Sequence, residues 1–389
     1  MTVDIHLPSI MKVGGGAISQ LQDMLATLGV KRPCIIADPI MVTLGKVENI
    51  TSSLSAYTKD IHVFSDVMPE PDDNSIDGAV ALVNQQQCDG LIALGGGSAI
   101  DSAKAIALLA THGGHMRDYK VPRVVSEQSI PIIAIPTTAG TGSECTRVTV
   151  ISDSQSAEKM LCMGPGLMPK AAILDYELTL SVPYRVAADT GLDALTHAIE
   201  AYVSRKSNPF SEQQAIAAMR LIAPHLVAAC KKPDDIKAKE AMMLGASLAG
   251  LAFSNASVAL VHGMSRPLGV HFHVPHGMSN AMLLPMVTAY SLSGSPSKYA
   301  EVAYHLGLTG EPGSTGTHED AHEKLIDFLH HLNRELDVPT MSSFGIEKAS
   351  YDNIIELMAT QALASGSPAN NPKVPKPEEL ERLYRDAYA

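Results

Sequence analysis

Four short apolar runs constrain this chain more than any other feature: PCIIAD at 33–38, IHVF at 61–64, GLIALGGG at 90–97 and PIIAIPTT at 131–138. Together they are rich in isoleucine and bounded by Gly, Pro or Asp. The segments between them, such as AISQLQDMLATLGV and NSIDGAVALVNQQQCDG, carry apolar residues at three- and four-residue spacing, the period of a helix. Strand, helix and strand in series have few solutions, because such runs are buried on both faces by the helices that connect them. An α/β domain built on a parallel sheet is expected.

Past Val182 the pattern changes. SEQQAIAAMRLIAPHLVAAC and AKEAMMLGASLAGLAF are long, Ala- and Leu-rich, and little after them resembles a strand. The second half is therefore expected to be all helix. Pro183, in LSVPYRVAAD, interrupts regular structure and places the boundary between an α/β domain at 1–182 and a helical domain at 183–389. A chain of 389 residues also exceeds what one core usually holds. A cleft between two domains is the expected place for cofactor and substrate. EPGSTGTHED (311–320) reads as a polar loop, and GSPANNPKVPKPEE (366–379) as a Pro-rich approach to a last short helix.

A formal charge of −12 argues against nucleic acid or an anionic membrane as partner, since both select a basic footprint. The N-terminal MTVDIHLPSIMKVGGG lacks the charge and apolar pattern of a secretion signal, and no apolar run approaches membrane-spanning length. A soluble, cytoplasmic protein acting on a small molecule is expected. Cys34, Cys88, Cys145, Cys162 and Cys230 form no CxxC pair, and their odd number reads as reduced thiols.

The helical half carries metal-binding chemistry. Asp193 and His197, in GLDALTHAIEAYVS, are four apart among helix formers, so both project from one face. His262 and His276, in VHGMSRPLGVHFHVPHG, are each followed by glycine in a segment too apolar for an ordinary exposed loop. Three neutral imidazoles and one carboxylate suit iron(II) or zinc, with a position left for substrate. Among fifteen histidines an Asp/His pair at this spacing arises by chance, so the set of four carries the expectation. The run from His318 to His322 also satisfies HExxH, but it opens a helix behind a Gly/Ser/Thr loop with no third-ligand pattern after it. It reads as a solvated helix start.

The α/β half carries dinucleotide chemistry. GGGSAID sets three glycines and Ser98 between a buried strand and the helix DSAKAIALLA. Glycines let a backbone approach a pyrophosphate, and the helix start offers unpaired N–H groups, although strand-to-helix turns also use glycine for steric reasons alone. TTAGTGSE (137–144) is a second loop, whose hydroxyls can bond ribose and nicotinamide. Asp38 ends its strand where a carboxylate can accept from an adenosine ribose and repel a 2'-phosphate, favouring NAD over NADP. It can equally cap the helix that starts at Pro39.

In this order and at these separations, LGGGSAIDSAKAIAL, IPTTAGTGSE, GLDALTHAIEAYVS and HGMSRPLGVHFHVPHGMSNAMLLP resemble the iron-containing (group III) alcohol dehydrogenase family through nearly the whole chain. The resemblance implies a dehydroquinate synthase-like architecture, with Asp193, His197, His262 and His276 as ligands of the catalytic Fe2+, or Zn2+ in its place. It implies NAD at Gly96, Gly97, Ser98, Asp101, Thr137, Thr138 and Thr141, with Lys159 and Leu178 as further matches, and a homodimer or higher homo-oligomer. The activity implied is reversible hydride transfer between a small alcohol and the nicotinamide. Many members carry a histidine four positions after the third ligand, where this chain has Arg266. Arginine stays protonated and cannot be an ordinary general acid or base, so either the proton leaves by another path, through His271, His273, ribose hydroxyls or water, or the site uses a fixed positive charge. Arg266 then acts as a fixed charge toward an anionic hydroxy compound, or as an ion-pair partner between helices. The rival readings are a glycerol dehydrogenase or dehydroquinate synthase-type enzyme, and a non-catalytic scaffold that binds NAD and metal.

Overall fold

The computed structural model describes residues 2–156, 158–310 and 317–388, so residues 311–316 of the expected polar loop lie outside it. The chain divides into two compact units, Ile5–Val182 and the residues from Pro183 onward, the latter joined by those up to Asp4.

The first unit is built on a parallel sheet of six strands: β1 (Ile10–Val13), β2 (Pro33–Ala37), β3 (His62–Phe64), β4 (Gly90–Gly95), β5 (Ile132–Pro136) and, further along the chain, Ala171–Leu174. Their order across the sheet is β1, Ala171–Leu174, β5, β4, β2, β3. The three central apolar runs conceal a period of two. Cys34, Ile36, Leu91, Ala93, Ile132 and Ala134 pack into one core, whereas Ile35, Ala37, Ile92, Leu94, Ile133 and Ile135 pack into another. Both faces are buried, so neither set of alternate positions can be polar. Helices α1 (Leu21–Leu28), α2 (Pro39–Thr43) and α3 (Lys46–Leu54) contribute to one core, and α4 (Asp77–Gln85) and α5 (Gly97–His112) to the other. Outside the four apolar runs lie β1, the strand Ala171–Leu174 and an antiparallel pair, β6 (Val148–Ser152) with β7 (Lys159–Met163). With those two numbered, Ala171–Leu174 is β8.

The second unit is helical throughout its described residues. Its centre is α6 (Tyr184–Val203), against which α7 (Pro209–Lys231) and α8 (Ile236–Ser254) pack. Small residues let the axes come close: a Cβ on Gly191 would fall 2.3 Å from Leu226, and one on Gly245 would fall 2.7 Å from Ile222. Every residue of α6 from Gly191 to Val203 is buried, so its charged members must find partners inside the protein. Two further helices, α9 (Leu260–Phe272) and α10 (His276–Ser291), supply those partners, and α11 (Pro296–His305) and α12 (His318–Glu335) follow. No described helix is long and apolar enough to cross a membrane.

Candidate metal centre and dinucleotide loops

Helix α6 presents Asp193 and His197 one turn apart, while His262 lies in the first turn of α9 and His276 opens α10. The four side chains converge, each offering one ligand atom, and all those atoms lie within 4.8 Å of one another. Asp193 Oδ1 stands 3.5 Å from His262 Nε2, 3.8 Å from His197 Nε2 and 3.8 Å from His276 Nε2. Ligands about 2.1 Å from a common centre stand about 3.4 Å apart in a tetrahedron, so the set needs only a slight contraction to close on a divalent cation.

The glycines after the two distant histidines have packing reasons. A Cβ on Gly277 would fall 2.3 Å from the Asp189 carbonyl oxygen, so only glycine lets α10 start against the backbone of α6. A Cβ on Gly263 would fall 2.7 Å from Pro368. The His197 ring is held between Phe253, at 4.2 Å, and His262, at 4.5 Å.

The electrostatics favour positive charge at this point. Burial would raise the Asp193 carboxyl, but His197, His276 and His262 together outweigh it and hold the group well below the usual carboxylate range. Burial would likewise lower His262, yet Glu200 and Asp193 push it up to about 9. A buried carboxylate held ionised among three imidazoles is a place where the charge of a cation is compensated. The donor set therefore fits iron(II) by spacing, chemistry and charge. Asp193, His197 and His262 are at most 6% exposed, whereas His276 is 47% exposed, so the centre opens to solvent on the His276 side.

Two residues of this site were not anticipated from the sequence. Asn280, one turn after His276, donates from Nδ2 to Asp193 Oδ1 at 2.7 Å and lies 3.2 Å from His262 Nε2. Its Oδ1 is buried without a hydrogen-bond partner among the described residues. Glu200, on α6, contacts His262 Nδ1 at 2.6 Å and accepts from two backbone N–H groups at the start of α9. The available signal for Glu200 is its spacing of seven from Asp193, which continues the Asp193/His197 stripe along the helix.

Of the other candidates in this unit, Arg266 is partly buried one turn beyond His262, and no hydrogen bond or ion pair holds its guanidinium among the described residues. Burial lowers its proton affinity while the charge of Glu200 opposes the shift. His273 ends α9 in a left-handed conformation, φ 55°, and is exposed, outside the quartet. His271 bonds Gln361 at 2.8 Å. In the HExxH run, Thr317 caps α12 by accepting from the Asp320 N–H, and His322 meets the Pro296 carbonyl at 2.9 Å.

In the α/β unit the glycine turn and the hydroxyl-rich loop lie together. Thr137 N–H donates to the Gly95 carbonyl at 2.9 Å. A Cβ on Gly97 would fall 2.9 Å from Thr141, one on Gly96 3.4 Å from Thr138, and one on Gly95 3.0 Å from Asp38 Oδ2. Helix α5 starts at Gly97 with no side-chain cap, and the Ser98 hydroxyl donates to the Pro69 carbonyl at 2.5 Å. Its first N–H groups are thus left uncapped by any side chain at the helix start, as a phosphate cradle requires. Asp38 accepts from Met41 N–H at 3.1 Å through Oδ1, which makes it the N-cap of α2, while Oδ2 faces the glycine turn. Asp101 points inward, accepting from the Ser143 hydroxyl and from Val150 N–H, and so braces one loop against the other. Buried Lys104 completes the brace on Ser143, Thr146 and the Val148 carbonyl. Lys159 pairs with Glu70, and Leu178 belongs to the core beneath.

Comparison with known proteins agrees across both units. The profile described as iron-containing alcohol dehydrogenase matches residues 8–176, and that of the Fe-containing alcohol dehydrogenase family, C-terminal, matches residues 187–388. The chain is 38% identical to long-chain-alcohol dehydrogenase 1 of Geobacillus thermodenitrificans over 99% of this chain and 96% of that one. Among solved structures, a 1,3-propanediol oxidoreductase superposes with a TM-score of 0.94 at 32% identity, covering 100% of both chains. A sulfoacetaldehyde reductase from Bifidobacterium kashiwanohense in complex with NAD+ superposes with a TM-score of 0.89 at 26% identity, covering 100% of this chain and 99% of that one.

Proposed function

The chain belongs to the iron-containing alcohol dehydrogenase family, and from that premise we propose that Asp193, His197, His262 and His276 hold its catalytic Fe2+. The enzyme is an NAD-dependent alcohol dehydrogenase, working between alcohol and carbonyl compound in either direction. The bound iron supplies Lewis acidity at the substrate oxygen, and the nicotinamide accepts or returns the hydride. The convergence of the four side chains on one point carries this reading.

Each group of residues then has a task. Asp193 brings the formal negative charge to a ligand set of otherwise neutral donors, and the stacked rings of Phe253 and His262 hold His197 in place. The exposed side at His276 admits substrate. The uncapped start of α5 with Gly96, Gly97 and Ser98 receives the NAD pyrophosphate, Thr137, Thr138 and Thr141 face the rest of the dinucleotide, and Lys159 and Leu178 flank it. Asp101 keeps the two loops in register. Alcohol oxidation also releases a proton, and Arg266 cannot take it. His273, the exposed histidine at the end of α9, is the group we assign to passing it to water.

The substrate we assign is a small alcohol or aldehyde bearing an anionic group. Arg266 supports this: a partly buried guanidinium without an ion-pair partner among the described residues is compensated when a carboxylate or sulfonate binds beside it. The sulfoacetaldehyde reductase among the structural neighbours is named for such an aldehyde. The relative named for long-chain alcohols favours a neutral substrate instead, and one experiment separates the two. NAD reduction is followed with a panel of alcohols and hydroxy acids, in the parent and in Arg266→His. A charge-assisted contact of about 1.5–3 kcal/mol predicts that the substitution lowers the hydroxy-acid to alcohol ratio of kcat/KM by about ten- to a hundredfold. A parent that prefers the neutral alcohol, with that ratio unmoved, removes the anionic assignment and leaves the dehydrogenase intact. Five buried, free cysteines suit the cytoplasm, where we place the enzyme as a homodimer.

A further inference from the structure

Helix α9 begins without a cap of its own. Ala259 occupies the capping position and no side chain there accepts from the first turn. Glu200 reaches across from α6 to do so: Oε2 accepts from Ala259 N–H at 2.8 Å, and Oε1 accepts from Val261 N–H at 2.6 Å. Backbone N–H groups only donate, so both carboxylate oxygens are fixed as acceptors. The remaining neighbour of Oε2, at 2.6 Å, is Nδ1 of His262. An imidazole nitrogen facing such an acceptor must carry its proton. Nε2 is then the nitrogen that can exchange a proton for a metal, and it is the one turned toward Asp193.

We propose that Glu200 is the positioning residue of the metal centre, holding His262 with its proton on Nδ1 and its Nε2 presented to the cation. The inference rests on the assignment of the quartet to iron. Glu200 touches neither the reacting atoms nor the proposed metal, so it acts through His262. It also couples two elements that must agree: α6, which brings Asp193 and His197, and the start of α9, which brings His262. A carboxylate satisfies three donors at once, and an amide cannot. In Glu200→Gln the NH2 group must face either Val261 N–H or the pair formed by Ala259 N–H and His262 Nδ1. In the second arrangement it donates to Nδ1 and drives the imidazole proton to Nε2, where it blocks coordination.

The test uses Co2+ as the probe, with affinity measured by chelator competition on full-length protein stripped of metal. Loss of a carboxylate behind a ligating histidine weakens metal binding about 10- to 100-fold, and that loss is expected in Glu200→Gln at temperatures where the variant remains folded by circular dichroism. The d–d absorption of the bound Co2+ should shift with it. In a His262→Ala background the same substitution should change affinity by no more than about twofold, because the path through His262 is already gone. Parent-like affinity in Glu200→Gln would reduce the carboxylate to a helix cap. An equal loss in both backgrounds would also overturn the proposal, since Glu200 would then act on the site as a whole. If Glu200→Gln fails to fold, Glu200→Asp decides: it retains the charge but shortens the reach, so a several-fold loss supports the assignment and unchanged affinity ends it. Unchanged Co2+ uptake in His276→Ala would instead remove the quartet itself, and the inference with it.

Discussion

On the proposed assignment, the metal centre and the dinucleotide loops solve the same problem, that of holding a charged group in place, by opposite means. In the helical unit four side chains from three helices supply every donor, and the backbone contributes by letting α10 start against α6 at Gly277. In the α/β unit the turn from β4 into α5 works through the side chains it lacks. Its glycines keep the space beside Thr138, Thr141 and Asp38 open, and no side chain caps its first N–H groups. The contrast follows from the ligands. A bare cation needs lone pairs at fixed distances, which Asp and His side chains deliver. A pyrophosphate needs N–H donors and room, which a glycine-rich helix start offers at no cost in side-chain entropy.

If the contrast is sound, the two regions must fail differently. The largest effect is expected from truncating a ligand. His276→Ala should abolish stoichiometric iron, measured by metal analysis, and lower kcat/KM by about a thousandfold or more, as when the main stabiliser of developing charge is lost. Because His276 is exposed, the melting temperature of the metal-free protein should stay near that of the parent. Retained iron would show that the quartet is not the site.

Adding a side chain should break the other region. In Gly97→Ala the new Cβ would press within 2.9 Å of Thr141, displacing the loop that closes the turn. The KM for NAD is expected to rise about tenfold, equivalent to about 1.4 kcal/mol of binding, with iron content unchanged. Loss of iron on this substitution would mean that the regions are not independent.

The smallest effect concerns Asp38, where the two means meet in one residue. One oxygen caps α2 and the other faces the glycine turn. Asp38→Gly should narrow the preference for NAD over NADP several-fold by removing a like-charge repulsion. Its stability cost should be only a few tenths of a kcal/mol, the usual price of glycine at an N-cap. An unchanged cofactor ratio would confine Asp38 to capping.

What could be read in advance depended on whether the controlling interaction was local. The central strands were legible because burial on both faces forces continuous apolar runs, as in Pro33–Ala37, Gly90–Gly95 and Ile132–Pro136. The strands β1 and β8 and the pair β6 with β7 passed unnoticed. β1 and β8 have only four residues each, one fewer than the shortest central strand, and β6 and β7 alternate buried with partly exposed positions. Asp193 and His197 were legible as a pair because a helix repeats every 3.6 residues, which places positions four apart on one face. His262 and His276 were legible only through the pattern around them.

The sequence by itself determined the alternating elements of the first half, the helices of the second, and the kinds of donor available for a cation. The tertiary structure alone decided which of those donors meet and what stands behind them. Glu200 is sixty-two residues from His262 in the chain, and Asn280 is eighty-seven from Asp193. In sequence each looks like a polar residue on a helix, free to face water. Burial of Asn280 and of all of α6 from Gly191 to Val203 removes that freedom, because a polar group taken out of water must be met by a partner, and only the packing of α9 and α10 against α6 selects the partner.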